Sequence, residues 1–384
     1  MSQSANTSLP KPTLAALARL VIGVGAAVAL LGWVLPLVTR TTWREIIAVL
    51  ADVPTGALIA CFALALAFLG SYAFVLRASL PGLTIPRALI LNTAGTAVSK
   101  LFPGGGAVGL AATFAICRTW GFPMRAISTS AVVTGVWNTL TRVALPVLAM
   151  GLLVISDLAL PAMLRKAAVG AAVSGVIILA IFVGILASGK VARAVGQLID
   201  AALAPWLAKR GKSGRVAAAM ADTRAQIIER VRAAWHWLTL GMIAFFATQL
   251  GIFLIALDVV GISIDFSAAF AAFAIGRLLT AVGITPGGVG ITETGTAAAL
   301  VALGANPAHS AAAVVLMSIF TNIIELPLGV LAWIAWSLDR SKSTNSTRSE
   351  PASAEDATAS QGLLTRARAR DDDPEGESRA DRDR

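Results

Sequence analysis

The sequence has few of the residues on which metal sites, disulfides and nucleophilic catalysis depend. Its 384 residues include two cysteines, two histidines and one tyrosine. Cys61 and Cys117 stand in apolar, helix-like sequence and make neither a disulfide framework nor a metal cluster. His236 and His309 are too few and too far apart to ligate a metal, and no Ser/His/Asp set can be assembled. We therefore expect no enzyme, with no catalytic residue, metal or cofactor.

Charge is also scarce, and it is unevenly distributed. Charged residues make up 14% of the chain and hydrophobic residues 57%, whereas a soluble domain carries about 25% charged residues. Residues 1–338 hold 22 Lys and Arg against 10 Asp and Glu, and residues 339–384 hold 9 against 11. Basic residues between apolar runs follow the positive-inside rule of membrane proteins. We therefore expect no nucleic-acid partner, despite a net charge of +10.

Long apolar runs predict an all-α polytopic membrane protein, because about 20 apolar residues span a bilayer as a helix. Six runs are long enough for full spans, at about Leu14–Val38, Pro54–Leu76, Ala126–Ile155, Leu164–Ala187, His236–Val260 and Pro307–Leu338. Two more apolar regions, Pro86–Cys117 and Ser267–Leu303, are each divided by a Pro-Gly-Gly break into halves too short to cross. We interpret each as a re-entrant broken-helix hairpin. A kinked pair of helices lying along the membrane surface is the alternative.

The polar segments give the domain boundaries and the orientation. A polar N-terminal segment, 1–13, precedes the transmembrane region 14–338. Residues 339–384 are charged and poor in aromatics, which predicts a disordered tail. Segment 188–235 carries nine basic residues against three acidic ones, so we expect it to be a basic cytoplasmic loop. Both termini are then cytoplasmic, in a multi-pass protein of the cell membrane.

The Pro-Gly-Gly breaks belong to a longer repeated pattern. TAVSKLFPGG, which contains Pro103, resembles TAVGITPGG, which contains Pro286. Pro146 follows Pro103 by 43 residues, and Pro327 follows Pro286 by 41. The matched spacing indicates an internal repeat, although chance similarity in apolar sequence of low diversity is the alternative.

The repeat predicts how the two hairpins lie in the membrane. Repeat one covers 14–156 and repeat two covers 164–338. Because each repeat has three full spans, the second is inverted relative to the first. The hairpins then enter from opposite faces and their tips meet near the midplane, as in many secondary transporters.

Irregular backbone in hydrocarbon persists only where it lines a cavity or faces a ligand. After each break we expect a new helix, near Gly109 and near Ile291, whose N-terminus attracts anions. Charged side chains at this depth are candidate site residues for the same energetic reason. The candidates for substrate binding are Lys100, Gly104, Gly105, Gly106, Arg142, Arg277, Pro286, Gly287, Gly288, Gly290, Glu293 and Glu325.

The charged candidates also have structural interpretations. The group can form buried ion pairs that fix helix packing. Glu293 can serve as a partner for the N-terminus of its own helix. Arg277 lies nine residues before Pro286 and can instead extend to the outer interface.

Two stretches resemble a known membrane domain. RLLTAVGITPGGVGITETG at 277–295 resembles the R…PGG-G…E signature of the transmembrane domain of lysylphosphatidylglycerol synthases, and KLFPGGGAVG at 100–109 resembles its first-repeat counterpart. The resemblance covers roughly 14–338. The first half-site departs from many relatives, because Gly-Leu-Ala-Ala-Thr stands at 109–113 in place of Gly-Glu followed by an arginine. The matching positions are Arg277, Pro286, Gly287, Gly288, Gly290 and Glu293.

The resemblance implies a flippase-like protein that translocates or binds an anionic lipid or lipid-linked precursor. Full-length synthases aminoacylate a phospholipid with a soluble C-terminal domain and move it with the membrane domain. Residues 339–384 leave no room for a transferase, so we expect no aminoacylation. The expected partner is an anionic phospholipid or a polyprenyl-phosphate-linked head group.

Two other functions remain open from the sequence. One is a non-transporting scaffold for an envelope or lipid biosynthesis enzyme, which would dock on the basic segment 188–235. The other is an intramembrane lipid-modifying enzyme.

Overall fold

A computed structural model of the chain describes residues 28–101, 105–155, 215–280 and 285–348, with Gly25 and some positions between 166 and 180. None of these residues lies in a strand. The α-helices among them are α1 (Leu35–Thr39), α2 (Trp43–Ala51), α3 (Thr55–Ser79), α4 (Ile85–Leu101), α5 (Gly105–Thr119), α6 (Met124–Ile155), α7 (Arg215–Val259), α8 (Phe266–Leu279), α9 (Ile291–Ala302), α10 (Pro307–Ser318) and α11 (Glu325–Arg348). Wide π-helical turns occupy Leu30–Val34 and Ile319–Ile323, and a 3₁₀ turn occupies Pro286–Gly288.

Four helical stretches are long and apolar enough to cross a membrane. They are Thr55–Ser79, Met124–Leu153, Glu229–Val259 and Pro307–Asp339. They match four of the six spans predicted from the sequence. The other two, at about 14–38 and 164–187, lie largely outside the described residues. Large apolar side chains such as those of Ile59, Leu240 and Val330 are exposed on these helices, as on helices that contact lipid.

Several helix boundaries differ from those expected. Helix α7 begins at Arg215 rather than at His236, because the intervening sequence is rich in Ala and Arg and has no Gly or Pro. The end of the segment interpreted as a basic loop is therefore helical. Helix α11 continues past Leu338 to Arg348, so the first residues of the segment expected to be disordered are helical as well.

Helix α2 is an additional short helix between the first two spans. A capping box begins it: the Glu45 backbone N–H donates to the Thr42 hydroxyl, and the Thr42 backbone N–H donates to the Glu45 carboxylate at 3.0 Å. Hydrogen bonds from the Thr41 hydroxyl, which has the largest effect, and from the Thr42 backbone N–H lower the carboxyl pKa of Glu45.

Helices α4 and α5 form the first hairpin, and their backbones approach each other closely. A Cβ atom at Gly105 would lie 1.9 Å from the Ser99 carbonyl oxygen, and one at Gly109 would lie 2.7 Å from the Gly95 carbonyl oxygen. The new helix begins at Gly105, one turn earlier than the expected start near Gly109. Gly105 and Gly109 therefore let the two arms of the hairpin pack together.

Helices α8 and α9 form the second hairpin, and the new helix begins at Ile291 as expected. Gly287, Gly288 and Gly290 have φ values of 62°, 76° and 88°, a backbone region that favours glycine. The 3₁₀ turn packs against the end of α4, where a Cβ atom at Gly287 would lie 3.0 Å from Cγ of Lys100. The two tips are therefore in contact. The inverted arrangement and the membrane face from which each hairpin enters stay predictions.

Candidate functional site

A cavity of about 620 Å³ lies where the two tips meet helices α3, α6 and α7. Its volume is that of a typical small-molecule site. The tip glycines Gly105, Gly106, Gly287 and Gly288 contribute to its wall. Its described charged lining residues are Lys100, Arg142, Arg277 and Glu325. Four of the five charged candidates from the sequence therefore line one cavity.

Lys100 is bound to the last membrane helix. Its Nζ lies 2.7 Å from Oε2 of Glu325, and the two side chains are 12% and 4% exposed. The same ammonium group donates to the Thr321 carbonyl at 2.6 Å and to Oδ1 of Asn322 at 2.9 Å. The charge of Lys100 is thus neutralised and its donors are used within the protein.

The acceptors that bind the Lys100 ammonium group lie in or beside a wide turn of the last membrane helix. Pro327 has no N–H to donate and its ring crowds the carbonyl of Ile323, which disfavours a regular α-helix in the preceding turn. That turn, Ile319–Ile323, is π-helical, and the Ile324 N–H donates to the Ile319 carbonyl at 3.0 Å. The turn therefore presents a backbone carbonyl and a side-chain amide to the first hairpin.

Glu293 ties the second hairpin to the same helix. One carboxylate oxygen accepts from the Gly290 backbone N–H at 2.6 Å, and the other accepts from the Ser318 hydroxyl at 2.6 Å and from the Asn322 amide at 3.2 Å. Glu293 is 3% exposed and is absent from the cavity wall. Because Asn322 also accepts from Lys100, one network joins both hairpins to the last helix.

The Glu293 carboxylate changes what the second tip can bind. The Gly290 N–H, a donor at the start of α9, is occupied by this carboxylate, and the Gly288 N–H donates to the Thr285 carbonyl. A negative charge in the first turn also counters the helix dipole. The expectation that the N-terminus of α9 binds an anion is therefore wrong for the Gly290 N–H, which is not free. Glu293 is instead the partner of the N-terminus of its own helix, which is the structural alternative given from the sequence.

Arg142 reaches from α6 to the end of α8. Its Nε donates to the Asn138 side-chain oxygen at 3.1 Å, and its Nη1 donates to the Thr280 hydroxyl at 2.6 Å. The Thr280 hydroxyl in turn donates to the Arg277 carbonyl at 2.6 Å. Both side chains that contact the guanidinium are neutral.

Arg277 points into the protein instead of extending to the outer interface. Its Nη1 donates to the Gln249 side-chain oxygen at 2.6 Å, and its Cζ lies 5.4 Å from the centre of the Phe273 ring. Its Nε is buried and has no hydrogen-bond partner among the residues that the structure describes. Thr285 also lines the cavity, and its buried hydroxyl has no partner within the same part of the chain.

The described cavity wall therefore carries two positive charges that form no ion pair with a carboxylate of that wall. Lys100 and Glu325 neutralise each other. Among the described residues, the hydrogen-bond partners of Arg142 and Arg277 are neutral, and a guanidinium keeps its proton in proteins. Glu293, which is outside the wall, acts electrostatically on Arg277. Buried donors without partners are rare and costly. The arrangement has the charge and the donors of an anion site.

Of the remaining candidates, Gly104 lies outside the described residues, and only the backbone of Pro286 is described. The sequence analysis missed the neutral polar residues of the site, which are Asn138, Gln249, Thr280, Thr285, Ser318 and Asn322. Helical spacing contains a signal for two of them, since Asn138 precedes Arg142 by four residues and Ser318 precedes Asn322 by four.

Comparisons with known proteins identify the family. The family model described as the lysylphosphatidylglycerol synthase TM region matches residues 17–329. A search of curated proteins found no match to the chain. The matched range contains both hairpins, the cavity and each of its four charged residues. This chain is a membrane protein that belongs to the lysylphosphatidylglycerol synthase transmembrane-region family.

Proposed function

We propose that the chain binds the head group of an anionic lipid in this cavity and moves it across the bilayer, without aminoacylating it. The observation that carries the proposal is the pair of guanidinium groups, Arg142 and Arg277, that line one cavity with only neutral partners. A charge at the centre of a bilayer costs about 2.5–3.5 kcal/mol on insertion scales. Two guanidinium groups without an ion-pair partner in one cavity wall are best explained by a negatively charged ligand.

The rest of the cavity wall suits an amphiphile. Leu91, Leu110, Phe245 and Phe246 line the same cavity as the arginines. A lipid can place its head group on the guanidinium groups and its chains against these apolar side chains. In this proposal Glu293 and Glu325 have structural roles, because each is bound to partners within the protein.

Reconstituted vesicles test the proposal. Vesicles that contain the full chain and fluorescent anionic lipids are treated with a membrane-impermeant quencher, which reports how much labelled lipid is on the outer face. We expect the protein to accelerate loss of the inner, protected fraction, and Arg142→Gln or Arg277→Gln to slow this movement at least tenfold.

Arg77→Gln is the matched control, because Arg77 is an exposed arginine at the end of α3 and outside the cavity. This variant should move lipid at the normal rate. The proposal is contradicted if the unmodified protein moves no anionic lipid, or if both cavity variants behave like the control.

A further inference from the structure

We infer that the head group is a phosphate monoester or diphosphate with about two negative charges and no ammonium group, an inference that rests on the proposed function. The described lining residues of the cavity carry a net charge of +2, because Lys100 and Glu325 cancel while Arg142 and Arg277 do not. Glu293, which is outside the wall, offsets part of the charge of Arg277. A phosphate diester such as phosphatidylglycerol supplies one negative charge. A monoester supplies between about 1.5 and 2 at neutral pH.

The hydrogen-bond donors of the cavity favour the same head group. A guanidinium carries five N–H groups. Among the described residues, hydrogen bonds use Nε and Nη1 of Arg142 and Nη1 of Arg277. The buried Nε of Arg277 and hydroxyl of Thr285 add further donors without partners. A monoester presents three terminal oxygens to such donors. A diester presents one terminal oxygen fewer, because the third oxygen forms the second ester bond.

The acceptors of the cavity exclude a cationic head group. An ammonium group needs a carboxylate or several free acceptors, as Lys100 has in this protein. Glu325 is the sole carboxylate among the described lining residues, and Lys100 occupies it. The side-chain oxygens of Asn138 and Gln249 accept from the arginines. Ethanolamine or a lysyl ester would bring a positive charge to two others, and no free carboxylate among the described lining residues would receive it.

The head-group chemistry has two lipid sources, a diacyl lipid such as phosphatidic acid and a polyprenyl phosphate. The chain offers a single-site probe that compares them. Tyr72 is its one tyrosine and lines the cavity. Full-length protein labelled with 3-fluorotyrosine therefore gives one ¹⁹F resonance, which can be followed in phosphatidylcholine nanodiscs as a second lipid is added.

We expect phosphatidic acid and polyprenyl phosphate to shift the resonance at concentrations about tenfold lower than phosphatidylglycerol does, since one added charge-assisted hydrogen bond changes affinity by about this factor. Phosphatidylethanolamine and lysyl-phosphatidylglycerol should leave it unchanged. Lowering the pH from 7.5 to 5 protonates the monoester, whose second pKa is about 6, and should remove its advantage. Binding of one monoester and not the other supports the head-group class and identifies the source.

Variants separate this inference from the proposed function. Arg142→Gln and Arg277→Gln should each bring the monoester and phosphatidylglycerol to equal affinity, and Arg77→Gln should preserve the difference. If Arg142→Gln does not fold, the same comparison of affinities is made with Arg142→Lys, which keeps the charge. Equal affinity for monoester and diester in the unmodified protein overturns the inference while the proposed function stands, as does binding of lysyl-phosphatidylglycerol. Absence of binding by every anionic lipid overturns both.

Discussion

Replacing Lys100 by methionine would remove the ammonium group that joins the first hairpin to the last helix. Three acceptors lose their donor: the Glu325 carboxylate, the Thr321 carbonyl and the Asn322 side-chain oxygen. The Glu325 side chain is 4% exposed, so water does not replace the lost partner. Removing one member of a buried ion pair costs about 3–5 kcal/mol. We expect Lys100→Met to lower the free energy of unfolding by about this amount.

A double-mutant cycle separates the ion pair from general damage. Glu325→Gln leaves Lys100 with two of its acceptors, so we expect a smaller loss of about 1–3 kcal/mol. The variant with both substitutions contains no unpaired buried charge, and its loss should be smaller than the sum of the single losses by about 2 kcal/mol. Steric trapping in bicelles measures the free energy of unfolding of each variant under native conditions.

The control for this cycle is Arg77→Met, which removes an exposed basic residue of similar length. It should change the free energy of unfolding by less than about 0.5 kcal/mol. Additive losses in the double variant, or a loss below about 1 kcal/mol for Lys100→Met, would refute the reasoning, because Lys100 and Glu325 would then not stabilise each other.

Further substitutions, each with a matched comparison, test the hairpins. Gly105→Ala places a Cβ atom 1.9 Å from a carbonyl oxygen of the facing arm and should destabilise the protein by about 2 kcal/mol or more, whereas Gly106→Ala, with nothing within 4 Å, should be neutral or slightly stabilising in thermal unfolding. Glu293→Ala leaves three donors without an acceptor and should cost about 3 kcal/mol, with a smaller loss for Glu293→Gln; equal losses would contradict the network. Hydrogen bonds from the Ser267 hydroxyl and N–H lower the pKa of Asp265 at the start of α8. This carboxylate therefore stabilises the helix start at neutral pH and stops doing so as the pH falls through the lowered pKa, below about 4. Hydrogen exchange at 266–269, corrected for intrinsic rates, should show this loss in the natural protein and not in Asp265→Asn.

The apolar pattern predicts much of the fold because membrane helices are specified locally. A run of about 20 apolar residues suffices for a span, and Pro-Gly-Gly suffices to break one. Helix bounds are predicted less well where the sequence is polar yet helix-forming. The segment before His236 is basic, but its alanines and long side chains continue α7 back to Arg215.

The site is only partly predictable, since its contacts join residues far apart in the chain. Charge at membrane depth identifies Lys100, Arg142 and Arg277 as candidates. Their pairing is not encoded locally: Lys100 binds a helix more than 200 residues away, and Arg142 contacts Thr280 across 138. The amide that Glu293 binds at Gly290 is the exception, because a glutamate in the first turn reaches the N-cap N–H at a fixed spacing of three residues.

The wide turn at Ile319–Ile323 changes the direction in which side chains point along the last helix. An α-helix rotates by about 100° per residue, so one extra residue in a turn puts the two halves out of phase by roughly that angle. Before the turn, Ser318 faces the second hairpin. After it, Glu325 and Gly329 face the first, where a Cβ atom at Gly329 would lie 2.1 Å from that of Ala97. The number of residues in this turn, and not their identity, therefore sets the angle between the two faces with which this one helix contacts the two hairpins.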